Sequence, residues 1–370
     1  DQPKFTGGYV RDYRFTNGNG VGGVIYNIFD YMKITAQSGR PFQFDNPGFS
    51  ITSDNPSVVG VANSSSGKLT FGGSSGTATI TIRQKETDYY SEVSSTLTLY
   101  VIRSDQDGTV LLKDRNEYKL LGVFVDAGYR FFSTRLEADI DLGTELVMIG
   151  SSKRRYQGTL DGQGHTLTFD WNVNRDDIAP ILYAGELTIK NLNIKGKITT
   201  DRPTVSGLIA YTTDRTFISN CVSDVDITCG YDGESQMGGI VNFVIHNAQS
   251  VRFTDCVVKG KLHATKEAGR KGMGGFIAYR GGTMPCYFEN CLYIGENNAT
   301  FGYGGYTFGP NAVLTNSHYL KACSIAQGEQ EMARDHVGQE SDRQGDRPHD
   351  EVGQELDGDD EDPQRLRHTP

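Results

Sequence analysis

The chain has 370 residues, of which 36% are apolar and 22% charged, and its formal net charge is −10. No apolar run approaches the roughly 20 residues of a transmembrane helix, so we expect no transmembrane span. Fourteen acidic residues and only five Lys or Arg lie in residues 324–370. Residues 1–323 are therefore almost neutral, which argues against nucleic-acid binding.

Residues 1–27 form an N-terminal segment in which we expect one strand with loose flanks. Its run Gly18-Asn-Gly-Val-Gly-Gly23 has the G-x-G-x-x-G spacing of a dinucleotide site. Such a site also needs a buried strand before the run and a helix after it, and neither pattern is present. A plain turn is the better interpretation, and we expect no cofactor.

Residues 28–103 alternate between apolar and polar positions, with frequent polar turns, which predicts a small β-sandwich. The runs Ser50–Val59, Gly67–Phe71 and Gly76–Ile82 resemble the bacterial immunoglobulin-like domain of group 2, and Ser95–Val101 fits its last strand. This resemblance implies an immunoglobulin-like module that serves as a spacer or an adhesive unit on cell surfaces. A spacer is the favoured interpretation.

Residues 103–108 are predicted to be the linker into the second domain, which spans residues 104–323. The stretch that follows the linker is the least regular part of this domain. It predicts either a short capping helix around Phe124–Phe132 or another strand pair. A cap is needed because the open end of a strand stack exposes unpaired backbone groups.

A repeat organises the second domain. Gly-plus-apolar blocks recur between residues 205 and 308. Each is followed, after a polar turn, by a second block that ends in a polar residue and then a small one. Cys221, Cys256 and Cys291 occupy the small position and lie 35 residues apart. A fixed period of this size indicates stacked repeats. The segments are short, β-branched and alternating, so we predict parallel coils about 4.8 Å apart.

Equivalent positions of stacked coils lie above one another, which predicts two ladders of side chains. The inward ladder contains Leu192, Cys221, Cys256, Cys291 and Ser317. The second ladder lies at a bend of the coils, where side-chain amides bond to each other and to nearby backbone. It contains Asn191, Asn220, Asp255, Asn290 and Asn316.

The blocks at Gly207–Ile209, Gly238–Val241 and Gly274–Ile277 resemble the GLUG-type repeats of large bacterial surface proteins. Upstream, Leu136–Leu142 and Tyr156–Leu167 resemble the first coil of secreted β-helix proteins. The resemblance implies a right-handed parallel β-helix in a secreted or cell-surface protein attached to an outer membrane or wall. No signal peptide opens the sequence, so secretion is an implication of the resemblance alone.

The six cysteines contain no Cys-x-x-Cys pair of the kind that binds zinc. We predict free, buried thiols. A disulfide between adjacent coils stays open as an alternative, because their Cα atoms lie within bridging distance.

The pair Asp161 and His165 is the best candidate for acid and base if the protein is an enzyme that cleaves polysaccharides. A structural turn at Asp-Gly-Gln-Gly-His is the favoured interpretation. Asp139 and Asp141 lie two residues apart, so both side chains face one side of a strand and are candidates for calcium binding. A solvated turn is again favoured, and we expect no metal.

Two sets of residues are candidates for ligand binding. Lys195, Lys197, Lys259 and Lys261 lie at outward positions of similar strands, and a basic stripe of this kind suits an acidic polysaccharide. Solubility is the favoured alternative role for these lysines. Tyr211 and Tyr279 lie near predicted coil bends. Aromatic rings at such positions either bind sugars or pack in the core, and core packing is the favoured interpretation.

Residues 324–370 are predicted to be an acidic low-complexity tail, because they have too few aliphatic residues to bury a core. The same β-helix scaffold carries adhesins, lyases and hydrolases. We predict a non-enzymatic, adhesin-like protein that binds glycans or host or partner surfaces. A polysaccharide lyase or glycoside hydrolase and a spacer in a larger surface assembly are the alternatives, and the oligomeric state stays open.

Overall fold

Strands account for 46% of the described residues and helix for 6%, which confirms the predicted all-β class. The computed structural model describes residues 4–6, 12–17, 26–30, 32–129, 131–245, 248–300 and 304–331. The glycine run at 18–23, Tyr303 and residues 332–370, which hold most of the predicted acidic tail, lie outside the described residues. Among the described residues, no helix has the length and apolarity needed to cross a membrane.

The first nine strands pair mostly antiparallel. They are β1 (Lys4–Thr6), β2 (Asp12–Asn17), β3 (Tyr26–Asn27), β4 (Lys33–Thr35), β5 (Phe49–Ser53), β6 (Val59–Asn63), β7 (Lys68–Phe71), β8 (Gly76–Gln84) and β9 (Val93–Ser104), with a 3-10 turn at Ile28–Asp30. Strands β5, β8 and β9 pair antiparallel, β2 joins β9, and β3, β7 and β6 form another sheet. Ala78, Ile80 and Ile82 of β8 are fully buried, as expected for a strand with one face on a core. The immunoglobulin-like assignment stays a prediction.

Helix α1 (Arg115–Asp126) follows β10 (Val110–Leu112). It begins and ends earlier than the capping helix predicted around Phe124–Phe132. The helix starts at Arg115 because Asp114 is its N-cap, and the carboxylate of Asp114 accepts a 2.9 Å bond from the backbone N–H of Glu117. Glu117 in turn accepts a 2.8 Å bond from the N–H of Lys113. The hydroxyl of Tyr118 donates to the carbonyl of Pro180 at 3.0 Å, so the helix packs on the first coils.

The remaining strands build the coils. They are β11 (Phe131–Leu136), β12 (Ile140–Asp141), β13 (Tyr156–Asp161), β14 (Thr166–Asn172), β15 (Ile181–Lys190), β16 (Asn193–Thr200), β17 (Thr204–Ser206), β18 (Ile209–Thr212), β19 (Thr216–Ser219), β20 (Val222–Cys229), β21 (Gln236–Gly238), β22 (Val241–Val244), β23 (Val251–Thr254), β24 (Val257–Val258), β25 (Leu262–Ala264), β26 (Met273–Gly274), β27 (Ile277–Arg280), β28 (Cys286–Glu289), β29 (Leu292–Tyr293), β30 (Ala312–Thr315), β31 (His318–Tyr319) and β32 (Glu329–Gln330), with a 3-10 turn at Ala268–Lys271.

These strands form large parallel sheets. One runs β10-β11-β13-β15-β19-β23-β28-β30 and continues, through the antiparallel pair of β10 and β9, into β8 and β5. Another runs β12-β14-β16-β20-β24-β29-β31-β32, and a short one runs β17-β21-β26. Val222 pairs with Val257, and Val257 pairs with Leu292. The partner therefore advances by 35 residues, which is the spacing of the cysteines. Successive turns of the chain add parallel strands to the same sheets, so the chain winds as stacked parallel coils.

The apolar core has two clusters. One runs from Ile28 to Val101, and the other runs from Ile102 to Cys323 and includes the buried face of α1. The change of cluster lies beside the predicted boundary at residue 103. The boundaries of the predicted domains themselves stay predictions.

The repeated glycines sit where successive coils approach most closely. A Cβ atom on Gly207 would overlap the carbonyl oxygen of Gly239, one on Gly239 would overlap that of Gly275, and one on Gly275 would overlap that of Thr307. These three successive coils thus need glycine at the same position, because the next coil's backbone occupies the space of a side chain.

Candidate functional site

Four aromatic side chains lie next to one another on successive coils and form a surface that we call the aromatic row. Its members are Tyr183 on β15, Tyr211 on β18, Phe243 on β22 and Tyr279 on β27, which are partners in register. The ring centroids are 4.7 Å apart for Tyr183 and Tyr211, and 5.8 Å apart for Tyr211 and Phe243. Phe243 and Tyr279 are 4.9 Å apart. The row is therefore continuous over four coils.

The rings are more exposed than their neighbours along each strand. In β18, Ala210 and Thr212 are buried on either side of Tyr211, which is half-buried. In β27, Ala278 and Arg280 are buried, whereas Tyr279 is 45% exposed. The rings therefore lie at the surface of the coils.

A carboxylate fixes the ring of Tyr211. Its hydroxyl donates to Asp177 Oδ1 at 2.6 Å, and the hydroxyl of Thr204 donates to the same oxygen at 2.7 Å. The N–H of Asp177 returns a 2.8 Å bond to Thr204 Oγ1. Burial, followed by the hydrogen bond to Asp177, raises the pKa of Tyr211 well above its usual value. Tyr211 is thus a neutral donor with its hydroxyl already engaged.

An ion pair lies at the Tyr183 end of the row. Arg155 precedes Tyr156, whose backbone partner is Ala184, so Arg155 lies beside Tyr183. Arg155 Nη1 is 3.3 Å from Asp214 Oδ2. The hydroxyl of Thr213 donates to the same carboxylate oxygen at 2.9 Å. Burial and the charge of Asp177 raise the pKa of Tyr183, and the positive charge of Arg155 opposes that shift.

The four candidate lysines lie on another face of the coils, in two pairs. Lys195 and Lys197 on β16 have Asp224 and Asp226 of β20 as their backbone partners. The next coil carries Lys259, whose Nζ is 4.0 Å from Asp224. It also carries Lys261, whose backbone N–H donates to Asp226 at 3.0 Å. One acidic coil thus separates the two lysine pairs, and the face alternates in charge instead of forming a continuous basic stripe.

Asp161 and His165 are engaged with different partners. Asp161 Oδ1 accepts bonds of 3.0 Å from the N–H of Gln163 and from the amide of Asn191, and Lys190 Nζ is 3.2 Å from Oδ2. Burial alone would raise the pKa of Asp161, but these bonds outweigh it and the pKa is lowered. Asp161 is therefore ionised at neutral pH, unlike a general acid. His165 Nδ1 instead lies 3.3 Å from Asp139.

Asp139 and Asp141 hold turns and neighbouring strands. Asp139 accepts a 2.8 Å bond from the N–H of Thr166. Asp141 accepts bonds from the N–H of Gly143 at 2.8 Å and from the hydroxyl of Thr168 at 3.2 Å. In the part of the chain that the structure describes, no cluster of three or more His, Cys, Asp or Glu side chains could hold a metal ion.

The bend ladder forms a chain of side-chain hydrogen bonds with one gap. Asn220 donates to Asn191 at 2.8 Å and Asn316 donates to Asn290 at 2.8 Å, while Asn290 donates to Asp255 at 3.0 Å. All five residues have φ between +46° and +54°. This left-handed conformation favours Asn and Asp over other non-glycine residues, which explains the residue type at each bend.

The inward ladder is buried and its cysteines are free. The thiols of Cys221, Cys256 and Cys291 donate to carbonyls of their own coils at 3.1, 3.2 and 3.4 Å. Hydrogen bonding to the sulfur of Cys256, together with burial, raises the pKa of Cys221 and Cys291. The ladder therefore acts as apolar packing between coils.

Comparison with protein-family models and with curated proteins finds no match. Among solved structures, the chain is similar to one named IgA1 protease, at 15% identity and a TM-score of 0.35. The matched region covers 89% of this chain and 28% of that one, so the chain spans little more than a quarter of its length.

Sequence reasoning selected Tyr211 and Tyr279 but missed Tyr183, Arg155 and Asp177 as parts of the same surface. The signal for Tyr183 is present, because Ile181-Leu-Tyr183 repeats the spacing of Ile209-Ala-Tyr211 one coil earlier. Arg155 and Asp177 lie in connecting segments outside the repeat, so no periodic pattern marks them.

Proposed function

We propose that this protein is a secreted or cell-surface, adhesin-like protein that binds glycans on the aromatic row. In this proposal residues 28–103 are an immunoglobulin-like spacer, and residues 104–323 are a right-handed parallel β-helix with GLUG-like repeats that displays the row. The parallel pairings at a 35-residue advance support the β-helix. The resemblance of the repeats to bacterial surface proteins motivates the location.

The observation that carries the proposal is the set of four neighbouring, partly exposed rings on successive coils. Soluble proteins seldom present contiguous exposed rings unless the surface binds something. Aromatic side chains combine an apolar face with, in tyrosine, a polar edge. This combination suits a sugar, which has apolar C–H faces and hydroxyl groups around its rim.

A glycan array and a cell-adhesion assay with the double variant Tyr211→Ala/Tyr279→Ala test the proposal. We expect the wild-type protein to bind at least one class of glycan and the double variant to lose at least tenfold in affinity. Phe217→Ala is the matched control. Phe217 is an aromatic residue, 38% exposed, on β19 of the same coils and outside the row.

Equal binding by the double variant and the wild type would refute the row as the binding surface. Absence of any glycan or cell binding by the wild-type protein would instead favour a spacer role. Circular dichroism of each variant verifies that the coils remain folded.

A further inference from the structure

The four rings of the aromatic row are not equivalent, because each ring partly covers its neighbours and the rings at the ends have one aromatic neighbour. Tyr211 has Tyr183 on one side and Phe243 on the other, and Phe243 lies between Tyr211 and Tyr279. Tyr183 lies between Tyr211 and the coil that carries Arg155. Among the described ring contacts, Tyr279 has an aromatic neighbour on one side only.

Exposure agrees with this arrangement. Tyr279 is 45% exposed, whereas Tyr183, Tyr211 and Phe243 are half-buried. The hydroxyl of Tyr211 is also bonded to Asp177 at 2.6 Å, so this polar edge is already satisfied within the protein. Tyr279 is therefore the last ring of the row, held on one side by Phe243 and open to solvent on the other.

Few charged side chains flank Tyr279. Among the described residues 236–245, 248–250, 272–285 and 304–311, which lie on its own coil and on the two neighbouring coils, the one charged residue is Arg280. Arg280 is 6% exposed and points inward to Cys286 and the carbonyl of Ala248. The strand that follows carries an exposed cation, Arg252, whose guanidinium already lies over the ring of Tyr287 at 4.1 Å. The charged groups beside the aromatic row lie near its Tyr183 end and are Arg155, Asp177 and Asp214.

We infer that Tyr279 is the residue that stacks on the ligand, and that the ligand is a neutral sugar rather than an acidic one. This inference rests on the proposed function and deepens it. A sugar places its C–H face on the open face of Tyr279. An acidic sugar would bring a carboxylate or sulfate to a ring whose described flanking segments present no free exposed cation, and this group would lose water without gaining a partner.

The experiment measures affinity by isothermal titration calorimetry for neutral hexasaccharides of glucose, xylose, mannose and N-acetylglucosamine, and for oligomers of galacturonate, alginate and heparin. We expect binding of at least one neutral probe, with little change between 50 and 500 mM salt because no ion pair forms with the ligand. We expect Tyr279→Ala to weaken this binding at least tenfold, and Tyr279→Phe, which keeps the ring, to weaken it less than threefold.

Variants at the other end of the row provide the contrast. We expect a much smaller loss for Tyr183→Ala than for Tyr279→Ala, and no change for the control Phe217→Ala. An equal loss in Tyr183→Ala and Tyr279→Ala, or a large loss in Tyr279→Phe, would overturn the role of Tyr279. Tighter, salt-sensitive binding of an acidic probe would overturn the ligand class while leaving glycan binding intact. A wild-type protein that binds none of the probes would overturn the proposed function as well.

Discussion

The gap in the bend ladder comes from the chemistry of one residue. An ionised carboxylate accepts hydrogen bonds but donates none. Asp255 therefore accepts the amide of Asn290 at 3.0 Å, yet it offers no proton to Asn220 in the coil before it. Asn220 still donates to Asn191 at 2.8 Å, so the ladder consists of two separate segments.

Asp255→Asn should join the two segments, because the new amide can donate to Asn220 while its oxygen still accepts from Asn290. We expect the free energy of unfolding to rise by about 0.5–1 kcal/mol, the net value of one hydrogen bond. Urea unfolding monitored by circular dichroism measures this change.

Asp255→Ala is the matched control, since it removes the same charge. It loses the bond from Asn290 and places alanine at a φ of +54°, a conformation that costs L-residues about 1–2 kcal/mol. It should therefore destabilise the protein. If both variants shift stability in the same direction, the effect comes from the charge and the ladder explanation is wrong.

At the scale of elements, the spacing between coils depends on backbone contact at the repeated glycines. Gly207, Gly239 and Gly275 each face the carbonyl of the following coil. These carbonyls belong to buried main chain and cannot move aside without breaking the parallel ladders of hydrogen bonds.

Gly275→Ala should be strongly destabilising, because its Cβ atom would overlap the carbonyl oxygen of Thr307. Overpacking of a close-packed interior costs about 1–3 kcal/mol, and we expect a loss at the upper end of that range. The midpoint of thermal or urea unfolding measures it.

Gly122→Ala in α1 is the control, because it makes the same chemical change where there is room. Its Cβ atom would lie 3.7 Å from the nearest atom, the carbonyl oxygen of Met148, an ordinary van der Waals contact. Alanine is favoured over glycine in a helix by about 1 kcal/mol, so this variant should be neutral or stabilised. An unchanged Gly275→Ala protein would contradict the close approach of the coils.

For the whole molecule, the core of the coils holds all six thiols. Each cysteine is at most 2% exposed, and all are free. Burial raises the pKa of Cys229 and Cys286, and it raises the pKa of Cys323 to about 12. A buried thiol with a raised pKa forms little of the thiolate that reacts.

Because every thiol is buried away from solvent, the native protein should show no fast reaction with 5,5′-dithiobis(2-nitrobenzoate) at pH 8, and all six thiols should react after denaturation in guanidinium chloride. Tyr89→Cys provides a positive control, because Tyr89 is 79% exposed and its replacement should add one fast thiol. Fast labelling of the native wild-type protein would show that the coils open readily. Fewer than six thiols after denaturation would indicate a disulfide between coils.

Local and periodic patterns in the sequence account for part of the fold. The 35-residue spacing of Cys221, Cys256 and Cys291 predicts the advance between paired coils. The recurring Asn or Asp before each of these positions predicts the ladder at the bend, whereas the left-handed φ of its residues is a finding of the structure. These features follow from sequence because each coil places the same residue types in the same geometry. The periodic pattern does not locate helix α1, whose start depends on the N-cap Asp114.

The side-chain contacts between coils and connecting segments follow from the tertiary structure and not from any pattern in the sequence. Asp224 and Asp226 lie between the lysine pairs, so the charges on this face alternate. The tertiary structure also brings Asp177 to Tyr211 and Arg155 to Asp214. Connecting segments differ in length from coil to coil, so positions outside the repeat have no fixed offset in sequence. The partners of Arg155 and Asp177, and the exposure of Tyr279 at the end of its stack, therefore depend on how the coils lie in register.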